Sequence, residues 1–155
     1  MNNSYFFRRM SNCGIPCNID SKALKTKKFA DKIMSFLEGK TNLAIIGEEH
    51  YSWAVKISKL KLANNINEEI VFISCNQVLT SYMRLFDTSI IRTVVVHSIH
   101  EIESENQKVH ISAFIDHLLT QNVQVLISAN SLKDVSSAFS KNIDSIDKNF
   151  EVMKV

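Results

Sequence analysis

The chain has little of what punctuates a polypeptide: its 155 residues include 3 glycines, 1 proline and 3 cysteines. A turn-rich all-β sandwich draws on more glycine and proline than this, so helices are expected to carry much of the chain. Three cysteines are an odd number and too few for a disulfide framework, which points to a reduced, cytoplasmic protein. Cys13 and Cys17 can pair or bind a metal, but no second pair of ligands stands at metal-site spacing. Cys75 adjoins an apolar run and reads as a buried thiol. No apolar run approaches the roughly 20 residues that span a bilayer. Tyr5, Phe6 and Phe7 precede Arg8 and Arg9, the reverse of the order in a secretory signal. Residues 1–20 therefore read as an N-terminal extension, either a loose terminus or a strand tucked onto the surface. Neither sign of charge dominates: 18 Lys+Arg against 16 Asp+Glu leaves +2, which does not mark a nucleic-acid binder.

What is present suits a folded domain. Hydrophobic residues make up 45% and charged residues 22%, and the length fits one core better than two. From Ser21, apolar residues Leu24, Phe29, Ile33, Phe36 and Leu37 recur at helical spacing among lysines 22, 25, 27, 28 and 32, which read as a solvated face. Asp20 or Ser21 can cap this helix and Gly39 can stop it. Asn42–Ile46 is a short apolar run ending at Gly47, the pattern of a buried strand followed by a turn. A loop over Glu48–Ser52 and a helix over Trp53–Ala63 are predicted next. Strands over Ile70–Ile73, Ile90–Val96, Val123–Ile127 and Phe150–Val155 then alternate with helices over Asn76–Phe86, from Ser104, and over Ser131–Phe139. Such alternation implies right-handed crossovers and a mainly parallel sheet with helices on both faces, an α/β three-layer sandwich over residues 21–155.

In an open parallel sheet, ligands bind beyond the carboxyl ends of the strands. A strand, a glycine, a loop and a helix are the setting of a P-loop, G-x-x-x-x-G-K-[ST]. Here the eight positions hold Gly47, Glu48, Glu49, His50, Tyr51, Ser52, Trp53 and Ala54. Only the first glycine matches; Trp53 takes the lysine place and Ala54 the hydroxyl place. The third strand, Thr93-Val94-Val95-Val96, ends in His97-Ser98 where a Walker B segment has the acids that hold magnesium.

These stations resemble the core of AAA+ ATPases, in particular the sigma-54-interaction domain of bacterial enhancer-binding activators. Family members read G-E-x-G-x-G-K where this chain has Gly47–Trp53, T-L-F-L-D-E-I where it has Thr93–Ile99, and I-A-A-T-N where it has Leu126–Asn130. Phe72–Asn76 resembles their second strand. The likeness covers residues 23–155 and implies a five-stranded sheet in the order 5-1-4-3-2 without the family's helical lid. It makes Asn130 the sensor residue and places Ser140 where the family has an arginine finger. No room remains between Phe86 and the third strand for the sigma-binding loop. The resemblance thus implies a pseudo-ATPase without cofactor or metal, working in transcription control through a protein partner, an AAA+ relative or the transcription machinery. Direct nucleic-acid or membrane contact is not expected.

Other chemistry is open to the same residues. His97, His100 and Glu101 cluster after the third strand and can supply metal ligands or an acid–base pair, though they lack the helical H-E-x-x-H pattern. Cys75 with His50 or His97 can form the thiol and base of a hydrolase, or the same end of the sheet can hold a nucleotide or small ligand. Trp53 is either a binding anchor or a filler of the space that a nucleotide would otherwise take.

Overall fold

The five short apolar runs pair side by side, and every pairing is parallel. In the computed structural model, which describes residues 3–19, 24–80, 87–139 and 148–155, they form β1 (Asn42–Ile46), β2 (Glu69–Ser74), β3 (Ile91–His97), β4 (Gln124–Ala129) and β5 (Phe150–Lys154). Their order is β2-β3-β4-β1-β5, the expected 5-1-4-3-2 read from the other edge. The strands are apolar on both faces because both faces are covered. Leu43, Ile45, Phe72, Val95 and Leu126 enter one buried cluster, whereas Ala44, Ile46, Val94, Val96 and Ile127 enter the other.

The first layer comprises α1 (Asn3–Cys13), α2 (Ala30–Leu37) and α3 (His50–Asn64); the other comprises α4 (Cys75–Thr80), α5 (Glu105–Thr120) and α6 (Leu132–Ala138). Local chemistry sets several ends. Ser104 and Gln107 form a reciprocal capping box at the start of α5. Ser131 accepts from the Asp134 amide at the start of α6. Gly39, at φ 75°, ends α2 in a paired arrangement: its amide donates to Phe36 and that of Lys40 to Ser35.

Three expectations change. The N-terminal extension is neither a loose terminus nor a strand but α1, because Phe6, Arg9, Met10 and Cys13 recur at i, i+3, i+4 and i+7. Arg9 hides that stripe in the sequence, yet its guanidinium turns inward to the Ile66 and Glu68 carbonyls at 3.1 and 3.0 Å. Gly14 follows at φ 82°, where a Cβ would come within 2.6 Å of the Phe72 carbonyl, so the chain presses closely on β2. Second, α2 begins at Ala30 after a 3-10 turn over Thr26–Phe29; the turn frees Phe29 to pack edge-on against Trp53. Third, α3 begins at His50 rather than Trp53. The proposed caps Asp20 and Ser21, the second half of the Asn76–Phe86 helix, and Ser140 lie outside the described residues. Among the described residues no helix is long and apolar enough to cross a membrane.

Candidate functional site

The carboxyl ends of β1, β3 and β4 bring the singled-out positions together. At the end of β1 the chain turns within Gly47, Glu48 and Glu49, and α3 starts at once. The expected loop over Glu48–Ser52 is therefore shorter: His50, Tyr51 and Ser52 form the first turn of the helix. With serine in place of the second glycine, the helix winds back over positions where a P-loop would run. Gly47 has φ 143°, and its amide donates to the Ala129 carbonyl at 3.0 Å. A side chain there would run into the Val155 carbonyl, since Val155 continues the pairing by donating to Ile46 at 2.8 Å. Glu48 and Glu49 are exposed, next to the positive end of the α3 dipole.

Trp53 is only 4% exposed, and its ring meets Phe29 edge-on at 5.3 Å. Trp53 is therefore not an exposed anchor. Ala54 beside it is fully buried. The lysine and hydroxyl places of a P-loop are thus core positions here.

Three histidines fill the adjoining space. His50 Nδ1 lies 2.9 Å from Ser128 Oγ, and the ring also hydrogen-bonds the Asn130 side chain. His100 meets His50 edge-on at 5.1 Å between ring centroids. His97 sits between Tyr51 and Phe72, 4.9 Å from each ring, and its Nδ1 is 2.8 Å from Ser98 Oγ. Ser98 itself adopts the left-handed conformation, φ 65°, as the chain turns from β3 into a 3-10 turn over Ile99–Glu101. Burial pushes the His50 imidazole down to about 4, with His100 adding to the effect and the Asn130 hydrogen bond opposing it. Burial, then the charges of His50 and His100, bring His97 to about 4 as well. Both rings are neutral at pH 7, so neither His50 nor His97 supplies a cation for a phosphate. Among the described residues no three His, Cys, Asp or Glu side chains are arranged to hold a metal. His100 Nδ1 is buried without a hydrogen-bond partner, and Glu101 accepts from Asn76 at 2.7 Å.

The cysteine–histidine pairing is corrected. Cys75 is fully buried in the cluster under α4 and α5, while His97 packs on Tyr51 and Phe72 on the opposite face of the sheet. Burial, aided by the Glu101 charge, pushes the Cys75 thiol up to about 12, which keeps it protonated and inert. Cys13 is buried and Cys17 exposed, and all three thiols are free. The sequence placed Ser128 at a carboxyl strand end but gave it no partner. Strand alternation could have found that partner: Leu126 and Ser128 share one face of β4, the face that α3 covers.

No family model matches the sequence, and no curated protein does. Solved structures do. The chain is similar to a replication initiator DnaA bound to AMPPCP and single-stranded DNA, with a TM-score of 0.69 at 5% identity, over 91% of this chain and 50% of that one. Domain III of the Thermotoga maritima replication initiation protein DnaA matches with 0.60 at 12% identity, over 100% and 68%. DnaI matches with 0.59 at 10%, over 99% and 94%. The chain spans about half the length of the first of these. The likeness shows the fold alone: a five-stranded parallel sheet between two helical layers, as in these chains.

Proposed function

We propose that this domain is a catalytically inactive member of the AAA+ fold that regulates by protein–protein contact. The observation that carries the proposal is Trp53, which stands at the lysine place of a P-loop and is buried edge-on against Phe29. Phosphate binding needs closely approaching amides and a lysine charge; magnesium needs a hydroxyl and a carboxylate. Ser52, Trp53, Ala54 and His97 stand in those places. Adenine and ribose contacts alone hold a nucleotide weakly. The partner in this reading is a protein, either an AAA+ relative or part of a transcription machinery as the sigma-54-interaction resemblance implies. The replication initiators among the similar structures give replication initiation as a second setting. A reducing cytoplasm fits the three free thiols.

Isothermal titration with Mg-ATP and Mg-ADP, near millimolar ligand, tests inactivity. No saturable heat is expected. Saturable micromolar binding, or phosphate release lost on mutating Trp53 or Asn130, would return the domain to the enzymes. Affinity purification of the tagged chain from its own cells tests the partner: recovery of no AAA+, transcription or replication protein would count against it.

A further inference from the structure

Among the described residues, open space lies along the amino ends of the strands, the end opposite Trp53 and the histidines. Three adjoining cavities, about 720, 370 and 350 Å³, run along the amino ends of the strands. The first is lined by Asn65, Asn67, Glu68, Arg92 and Ile90; it shares Gly39, Asn122 and Gln124 with the second. The second shares Lys40, Thr41, Asn42 and Asn149 with the third, which reaches Lys148 and Glu151. Together they make one groove that crosses the sheet from β2 to β5. Strands lie about 4.8 Å apart, so five of them set a length of roughly 19 Å. An extended chain covers that length with about six residues.

The floor of the groove is built from groups that are already paired. Gln124 donates from Nε2 to the Phe36 and Thr41 carbonyls, both at 2.7 Å, and accepts from Thr93. Lys61 Nζ binds the Phe36 and Leu37 carbonyls, and Glu68 lies 3.8 Å away. Burial pushes the Lys61 amine down, with the Glu68 charge opposing. The walls, by contrast, offer unused groups. Asn65, Asn67 and Asn122 are exposed, and their side chains make no hydrogen bond among the described residues. Thr41 Oγ1 is buried without a partner. Ile90 is 57% exposed beside them, an apolar contact point. The Glu68 and Glu69 carboxylates already face Lys61 and Arg9. Arg92 at one end and Lys148 at the other have no ion pair among the described residues.

We propose that this groove docks an extended peptide segment of the protein partner, one that carries an acidic side chain for Arg92 or Lys148. The proposal rests on the protein-contact reading above and names the surface that serves it. Primary amides suit this occupant, because each offers a donor and an acceptor to the alternating N–H and C=O of an extended backbone. Arg92 and Lys148 stand at opposite ends of the groove, which suits one or two separated carboxylates rather than the evenly spaced charges of a phosphate backbone.

The test pans a displayed random-peptide library on the whole chain. Binders are measured by fluorescence anisotropy and mapped by amide chemical shifts. Acidic peptides are expected, with shifts clustered at Asn65, Asn67, Arg92, Asn122 and Gln124. Arg92→Ala and Asn122→Gly should each weaken binding about tenfold, the scale of a charged or buried hydrogen bond. Glycine keeps the left-handed turn at residue 122, where φ is 59°. Glu48→Gln, at the opposite end of the sheet, should bind as the parent does. The proposal is overturned if no peptide is selected, if shifts cluster elsewhere, or if both groove variants bind unchanged. Selected peptides that bind elsewhere would leave the protein-contact reading standing without the groove. Micromolar ATP binding alongside groove-bound peptide would uphold the groove and remove only the inactivity.

Discussion

Lowering the pH from 7 to 5 should destabilise this domain before its carboxylates titrate, because two imidazoles are buried neutral. The ordinary histidine value is 6.5, and in the folded chain His50 and His97 both sit at about 4. Between those values the unfolded chain binds protons that the folded chain refuses, so unfolding takes up protons and stability rises with pH. The stabilising contribution is therefore present above pH 6.5 and is lost as pH falls towards 4. Linkage gives roughly 2 kcal/mol lost per histidine by pH 5, hence about 4 kcal/mol for both. That is a large share of the 5–15 kcal/mol typical of a domain. Urea unfolding followed by Trp53 fluorescence at pH 7, 6 and 5 measures it. The midpoint should fall steadily with little change in slope, and about two protons should be taken up per molecule unfolded near pH 5. His97→Phe keeps a ring between Tyr51 and Phe72 and should reduce the uptake to about one proton. A stability that is flat from pH 7 to 5, or a variant with undiminished proton uptake, would refute the neutral, buried histidine cluster.

Gly47→Ala should cost at least 2 kcal/mol in chemical unfolding, since φ 143° is closed to a side chain and the Val155 carbonyl fills the space; a neutral effect would show that Val155 does not lie there. Trp53→Lys restores one letter of a P-loop but buries an ammonium beside Phe29, so the expected result is a loss of roughly 3–5 kcal/mol without ATP binding. Ser104→Ala removes the capping box of α5 and should lower stability by about 1 kcal/mol, while Ser104→Thr retains most of it.

Much of the architecture is legible residue by residue. The runs at Leu43–Ile46, Val94–Val96 and Val125–Ile127 are apolar at every position, which only a strand covered on both faces requires. Ser104, Ser131 and Gly39 mark helix ends through hydrogen bonds made within a few residues, so local order suffices to place them. The start of α3 was not legible. His50-Tyr51-Ser52 carries no glycine or proline to break a helix, and whether it continues a loop or begins a helix depends on what its side chains can reach. His50 reaches Ser128, 78 positions away, and Tyr51 reaches Phe72 and His97. The site was legible only as substitutions: Trp53 for a lysine and His97 for an acid say what is missing, not what fills the space.

The alternation of strand and helix, the buried thiol at Cys75 and the loss of the P-loop letters were determined by the sequence alone, because each depends on residue type and near neighbours. Tertiary structure decided the rest. It turned Arg9 inward to make α1 part of the core, since a guanidinium is buried only where carbonyls such as those of Ile66 and Glu68 wait for it. It put Cys75 and His97 on opposite faces of the sheet, and it neutralised His50 and His97 by burying the one against His100 and the other between Tyr51 and Phe72. It also left the amino ends of the strands open, with Asn65, Asn67 and Asn122 spread over 57 positions of sequence along one groove. Contacts at such separations depend on which strands become neighbours, and the order β2-β3-β4-β1-β5 sets that only once the whole sheet has formed.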